Sequence, residues 1–286
     1  MEEAVNDKID QKKNIDADVV AGFGDEWSRF DQSDVSDEEL LAIFETYFEK
    51  FPWADLSDDA EGFDLGCGSG RWAKLVAERV GHLHLIDASS EALAVAKGTL
   101  AGASNCSFHH ASVDSIPLDD ESCDFGYSLG VLHHIPDTEA GLRSCVSKIK
   151  PGAPFLLYLY YSLDNRPAWF RAIWKASDVI RKGISRLPHG PRSVASDLVA
   201  LTVYFPLARI AKVSEVVGFD PKHIPLSQYR NASFYIMRND ALDRFGTRLE
   251  QRFSKAEIEQ MMGRVGLERI VFAEKVFWVG MGYKKR

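Results

Sequence analysis

The chain has 286 residues, 45% of them apolar, enough for a packed core in one large domain or in one domain with an elaboration. A formal net charge of −8 and a pI near 5.5 exclude a broad electrostatic footprint on DNA or RNA, which needs clustered Lys and Arg. Cysteines 67, 106, 123 and 145 form no Cys-x-x-Cys pair and no metal-ligand grouping, so reduced thiols and no metal are expected; the polar start, Met1-Glu2-Glu3-Ala4, has no leader-like apolar stretch, which sets a cytoplasmic expectation.

Residues 1–20 are charged and aperiodic and predict a frayed tail. Residues 21–55 predict a helical segment ahead of the first strand. Within it, Ser36 followed by Glu39 is a capping-box pattern, and Leu40, Leu41, Ile43, Phe44, Tyr47 and Phe48 supply an apolar helical face. Strands are then predicted near 62–66, 82–87, 107–112, 123–129 and 154–161, with helices near 70–80, 89–99 and 137–149. That alternation requires a parallel sheet.

The first strand runs straight into Asp64-Leu65-Gly66-Cys67-Gly68-Ser69-Gly70-Arg71. Alternating glycines let the backbone turn from strand to helix and touch a ligand where a Cβ would intrude. A dinucleotide fingerprint fails here, because Arg71 occupies the position of its third glycine and Asp64 would face the pyrophosphate. An acid-lined glycine turn suits a cationic ligand better. The next strand ends at Asp87, about twenty residues after the first glycine, where one βαβ step delivers a carboxylate to a ribose diol.

With these features the chain resembles the class I S-adenosylmethionine-dependent methyltransferases, whose first motif reads Asp-x-Gly-x-Gly-x-Gly with an acid closing the second strand. Ala111 to Leu118 is similar to the family's third-strand segment, and Cys123 to Asp137 to its fourth strand and loop. The resemblance implies a doubly wound, Rossmann-like α/β fold with a seven-stranded sheet and S-adenosylmethionine as cofactor. It implies cofactor contacts from Asp64, Gly66, Cys67, Gly68, Gly70, Asp87, Val113, Asp114 and Leu129. The resemblance also implies that the segment 21–55 lies over the cofactor cleft, with Trp27 as the candidate contact and ordinary packing as its alternative.

The core, 56–161 and 253–286, is interrupted by about ninety residues, 162–252, too many for a loop. Trp169, Phe170, Ile173 and Trp174 recur at helical spacing, as do Val179, Ile180 and Ile184. Leu198 to Ile210 predicts another helix, broken at Pro206 and too short to span a bilayer. A helical lid over the active site is the preferred reading of this insertion, with contact to a membrane surface as the rival. Ser254 with Glu257 opens the next helix, and Leu267 to Val271 with Phe277 to Tyr283 predicts a closing hairpin whose last strand is antiparallel.

Ligands bind at the C-terminal edge of such sheets, so the catalytic candidates are His134, His133 and Tyr160, with Tyr161 and Asp164 beside them. His134 is the preferred base, since the resemblance puts it where related enzymes have a His facing the acceptor; helix capping or loop hydrogen bonding is the alternative for either histidine. The runs Tyr229 to Asn231 and Arg238 to Phe245 predict either a polar acceptor pocket or a solvated turn. The expected function is methyl transfer to a small polar or amphipathic acceptor at oxygen. The alternatives are N-methylation of a small amine or amino sugar, or a non-catalytic cofactor-binding module.

Overall fold

The computed structural model describes residues 14–32, 34–273 and 277–286. Strands β1 (Glu61–Leu65), β2 (His82–Asp87), β3 (Cys106–His110), β4 (Phe125–Leu129) and β5 (Pro154–Tyr158) are parallel, and β6 (Leu267–Phe272) with β7 (Val279–Lys284) forms the hairpin. The order is β3-β2-β1-β4-β5-β7-β6, with β7 antiparallel to β5. This is the doubly wound, Rossmann-like seven-stranded fold that the sequence implies. Its order reverses between β1 and β4, which opens a crevice at their C-terminal ends.

A parallel sheet is covered on both faces, and its central strands are apolar on both. One face packs Leu83, Leu85, Phe125, Tyr127 and Leu156 against α2 (Asp37–Tyr47), α3 (Arg71–Ala77) and α4 (Ser90–Thr99). The other packs Phe63, Leu65, Ile86, Phe155 and Leu157 against α5 (Thr138–Lys148) and α10 (Lys255–Arg264). For α10 the expected capping box is complete, with Ser254 and Glu257 each taking the other's backbone N–H. At α2 it is half made: Ser36 Oγ accepts from Glu39 N at 3.2 Å, but Glu39 Oε1 accepts from Ser233 N at 2.8 Å and so ties α2 to the insertion.

Two local expectations fail. The chain is ordered before residue 20: α1 (Ala17–Arg29) is capped by Asp16, and the Asn14 side chain both donates to Asp137 O and accepts from Asp137 N, each at 2.7 Å. The rest of the expected tail, 1–13, lies outside the described residues. Pro206 also breaks nothing. Helices α7 (His189–Val199) and α8 (Phe205–Val216) join through a π-helical turn, Ala200–Tyr204, in which Phe205 N donates five residues back to Ala200 O. The wider turn takes up the proline that would otherwise clash with the preceding carbonyl. The resulting helix, His189–Val216, has 28 residues and is long and apolar enough to cross a membrane by length and composition, contrary to the short broken run expected.

The insertion is completed by α6 (Ala168–Ile184) and α9 (Phe234–Gly246) and has a small core of its own, Ala200, Tyr204 and Ala208 against Met237, Ala241 and Phe245. Ser254→Ala is expected to cost about 1 kcal/mol through the α10 cap. It should lower the urea midpoint at unchanged m-value, and an unmoved midpoint would show that α10 is held by packing alone.

Candidate active site

At the C-terminal ends of β1, β2 and β4 lies a cavity of about 820 Å³, walled on its far side by α1, α2, α6, α8 and α9. Its floor is formed where the glycine turn leaves β1, at Leu65 and Gly66. Gly66 has φ +76°, and a Cβ there would sit 2.3 Å from Val131; Gly68 has φ +53°, and a Cβ there would sit 2.8 Å from the Trp27 indole. Only glycine fits both the torsion and the space. Asp87, on the cavity wall, accepts from Gly68 N at 2.9 Å and Ser89 N at 2.8 Å, and its burial raises its pKa against the pull of those donors.

The expected cofactor residues divide. Gly66, Asp87, Val113, Leu129 and Trp27 line the cavity, while Asp64, Cys67, Gly68 and Gly70 form the turn behind that wall. Asp64 is buried with Oδ2 unpartnered among the described residues, and burial pushes its pKa up to about 8. Asp114 departs from expectation: it is exposed, lies off the wall and accepts from Asn14 N at 2.6 Å. The ordered N-terminal segment has taken its carboxylate.

The opposite wall carries the polar side chains. His134, in a 3-10 turn over Leu132–His134, has Nδ1 2.7 Å from Leu249 O. A carbonyl only accepts, so Nδ1 carries the proton and the lone pair of the neutral ring is on Nε2. That nitrogen lies 3.7 Å from Asp243 Oδ1, and neither atom has a hydrogen-bond partner among the described residues. The Tyr160 hydroxyl donates to Asp243 Oδ2. Burial drives the His134 pKa down to about 4 and the Asp243 pKa up to about 6.

His133 is a correction. Its ring is fully buried, stacked on Tyr160 at 3.9 Å, with both nitrogens unpartnered among the described residues and its pKa held well down by burial; it packs behind Tyr160 and does not line the cavity. Tyr161 lines the cavity, whereas Asp164 accepts from Lys255 N and Trp278 Nε1 outside it. From the polar runs of the insertion, Tyr229, Asn231, Asn239, Asp240, Asp243 and Arg244 reach the wall.

Glu26 is the wall residue that sequence reasoning missed. It is buried, accepts from Asn239 Nδ2 at 2.5 Å, and its pKa is raised by burial and then by Asp243 and Asp240. The available signal was its place beside Trp27 on the face of α1 that also carries Val19, Val20 and Phe23.

Residues 63–157 match the family described as a methyltransferase domain. Within that segment the chain carries a methyltransferase domain, and the sheet built around it has the class I S-adenosylmethionine-dependent methyltransferase fold. A phosphoethanolamine N-methyltransferase 2 of Caenorhabditis elegans is 34% identical over 100 residues, 34% of this chain and 23% of that protein. A ubiquinone biosynthesis O-methyltransferase of Marinobacter nauticus is 31% identical over 108 residues, 36% of this chain and 43% of the relative. The matched segments thus span less than half of these relatives' length. A solved DhpI–SAH complex shares the fold with a TM-score of 0.54 at 14% identity, covering 94% of this chain and 96% of the other.

S-adenosylmethionine is the cofactor that this domain implies, and the residues fit it. Gly66 of the turn and the Asp87 carboxylate share the cavity wall, an acid that can accept from a diol, and the other acids around the cavity suit a cation. Asp87→Ala should weaken S-adenosylmethionine binding by on the order of 1.5–3 kcal/mol in calorimetry, with NAD not binding in either form. Unchanged affinity, or tighter binding of NAD, would overturn the assignment.

Asp64 makes a separate prediction about stability. With its folded pKa raised to about 8, the native state holds a proton that the unfolded state has lost above about pH 4. Stability therefore falls as pH rises through that window. Asp240 and Asp243, both raised to about 6, complete their share earlier. Asp64→Asn should flatten the decline in thermal midpoint between about pH 6 and pH 8, and an undiminished slope in differential scanning calorimetry would assign the proton elsewhere.

Proposed function

We propose that this chain transfers a methyl group to a hydroxyl oxygen of a small polar or amphipathic acceptor. One observation carries the reading: His134 Nε2 and Asp243 Oδ1, two buried acceptors 3.7 Å apart on the wall of the cavity that the glycine turn floors, have no donor among the described residues. An acceptor O–H placed between them satisfies both in turn. S-adenosylmethionine supplies an electrophilic methyl on a good leaving group, so the chain has to orient the acceptor, exclude water and remove one proton.

His134 is built for the last task. Its tautomer is fixed by Leu249, its ring is neutral at ordinary pH, and its Nε2 lone pair faces the carboxylate that would stabilise the imidazolium as it forms. Tyr160 holds that carboxylate from the other side. A second reading, methylation of an amine, is favoured by the grouping of Glu26, Asp240 and Asp243 on one wall, which would attract an ammonium. The names of the relatives divide between O- and N-methyltransferases in the same way.

His134→Ala separates the two. For a hydroxyl acceptor it should lower kcat by roughly 10²–10⁴-fold with cofactor affinity unchanged. The wild-type rate should rise with pH through about 6, as Asp243 loses its proton and can support the imidazolium, and Asp243→Asn should abolish that limb. For an amine acceptor the limb follows the amine's own pKa and His134→Ala costs little. Cofactor binding without turnover of any component of a metabolite extract would leave the non-catalytic module.

A further inference from the structure

The helix α7–α8 is built inside out. Its small residues, Ser196, Ala200, Ala208 and Ala211, are fully buried, while Val194, Leu198, Leu201, Ile210, Val213 and Val216 are each more than half exposed, Val216 by 80%. A water-soluble surface helix does the reverse. On α6 the solvent-facing arc repeats the pattern with Trp169, Ile173, Val179 and Ile180, and exposed Arg171, Lys175, Lys182 and Arg186 recur at helical spacing along one border of it. An apolar face edged by cations is the composition of a helix lying in a lipid headgroup layer.

Charge selects the occupant. Residues 162–252 carry 15 Lys and Arg against 8 Asp and Glu, in a chain whose net charge is −8, so the remainder is strongly acidic. An anionic surface attracts the insertion, repels the core and thereby orients the molecule. Crossing such a surface is ruled out for this helix, because its inner face packs on α9 and its Asp197 is paired with Arg29 and Arg238. The same patch meets the cavity: Ile173 and Val203 are exposed to solvent and also line the cavity wall.

We infer that the outer face of α6 and α7–α8 docks on an anionic phospholipid bilayer, and that an amphipathic acceptor dissolved in that bilayer enters the cavity past Ile173 and Val203. The second half rests on the methyl-transfer reading; the first half does not. The full chain should co-sediment with vesicles of phosphatidylcholine containing one-third phosphatidylglycerol, and far less with phosphatidylcholine alone. Leu198→Ser with Leu201→Ser, both outside the cavity, should cut partition by at least about tenfold. Arg171→Glu with Lys175→Glu should cut it by about fivefold or more per residue.

Absence of partition into the anionic vesicles, or partition unmoved by the leucine variant, overturns docking. So does a vesicle-free dimer in sedimentation velocity that the leucine variant dissociates, since a second copy then covers the face. For the acceptor, labelled methyl donor incubated with the chain and an unfractionated cell extract should leave label in the chloroform phase. Label confined to the aqueous phase overturns the bilayer-held acceptor. Label in neither phase removes methyl transfer, and the acceptor with it, while the vesicle result stands on its own.

Discussion

The site depends on a hydrogen-bonded seam between the sheet edge and the return of the insertion. Gln251 N donates to His133 O at 3.0 Å and its side chain to Ile135 O at 2.7 Å; Phe253 N donates to Tyr160 O at 2.9 Å, and His134 Nδ1 to Leu249 O at 2.7 Å. Five residues, 249–253, thus satisfy the backbone left open where the β4 and β5 loops leave the sheet. Buried Glu250, between Arg244 and Arg252, fixes the seam from outside, and Arg252 donates on to Tyr161 O. Without it α9 has no reason to place Asp243 against His134, and the cavity loses its polar wall.

The electrostatics of that wall follow from crowding carboxyls in a place that water reaches poorly. Glu26 and Asp243 each gain pKa from burial and then from neighbouring acids, Asp240 adds to Glu26, and Asp243 adds to Asp240. Like charges so placed are costly to ionise together. Arg71, stacked between Trp27 and Trp72, is the nearby cation that lowers the pKa of all three acids. A bound sulfonium or ammonium would act in the same direction. The acids therefore favour cationic occupants, and folding alone does not require them there.

What was legible in the sequence was what local chemistry fixes. The glycine turn and Asp87 are separated by one strand–helix step, and their placement follows from backbone torsion and spacing. The choice between His133 and His134 was not local, because it is decided by Leu249, 115 residues further on, which takes one ring nitrogen of His134 while Tyr160 covers His133. Asp114 looked free for a ligand because nothing nearby competes for it, yet Asn14, a hundred residues earlier, does. Glu26 was illegible for a related reason: a carboxylate on an amphipathic helix reads as solvated until α9 is known to pack over it.

Pro206 teaches the same lesson about backbone, and leads to the exposed face. Read alone, the proline ends a helix; in place, one π-helical turn absorbs it and joins two short helices into a long one. That continuity aligns Val194, Leu198, Leu201, Val213 and Val216 on one side. Burying alanines while exposing aliphatics forgoes on the order of 1.5–3 kcal/mol per large side chain, a loss that the fold could avoid by turning the helix over. It does not, because the small residues let Tyr204 and Ala208 approach Met237 and Phe245 closely enough to hold α9, and with it Asp243, over the cavity. The helix is thus fixed in its rotation by the active-site side, and the apolar stripe is left facing outward.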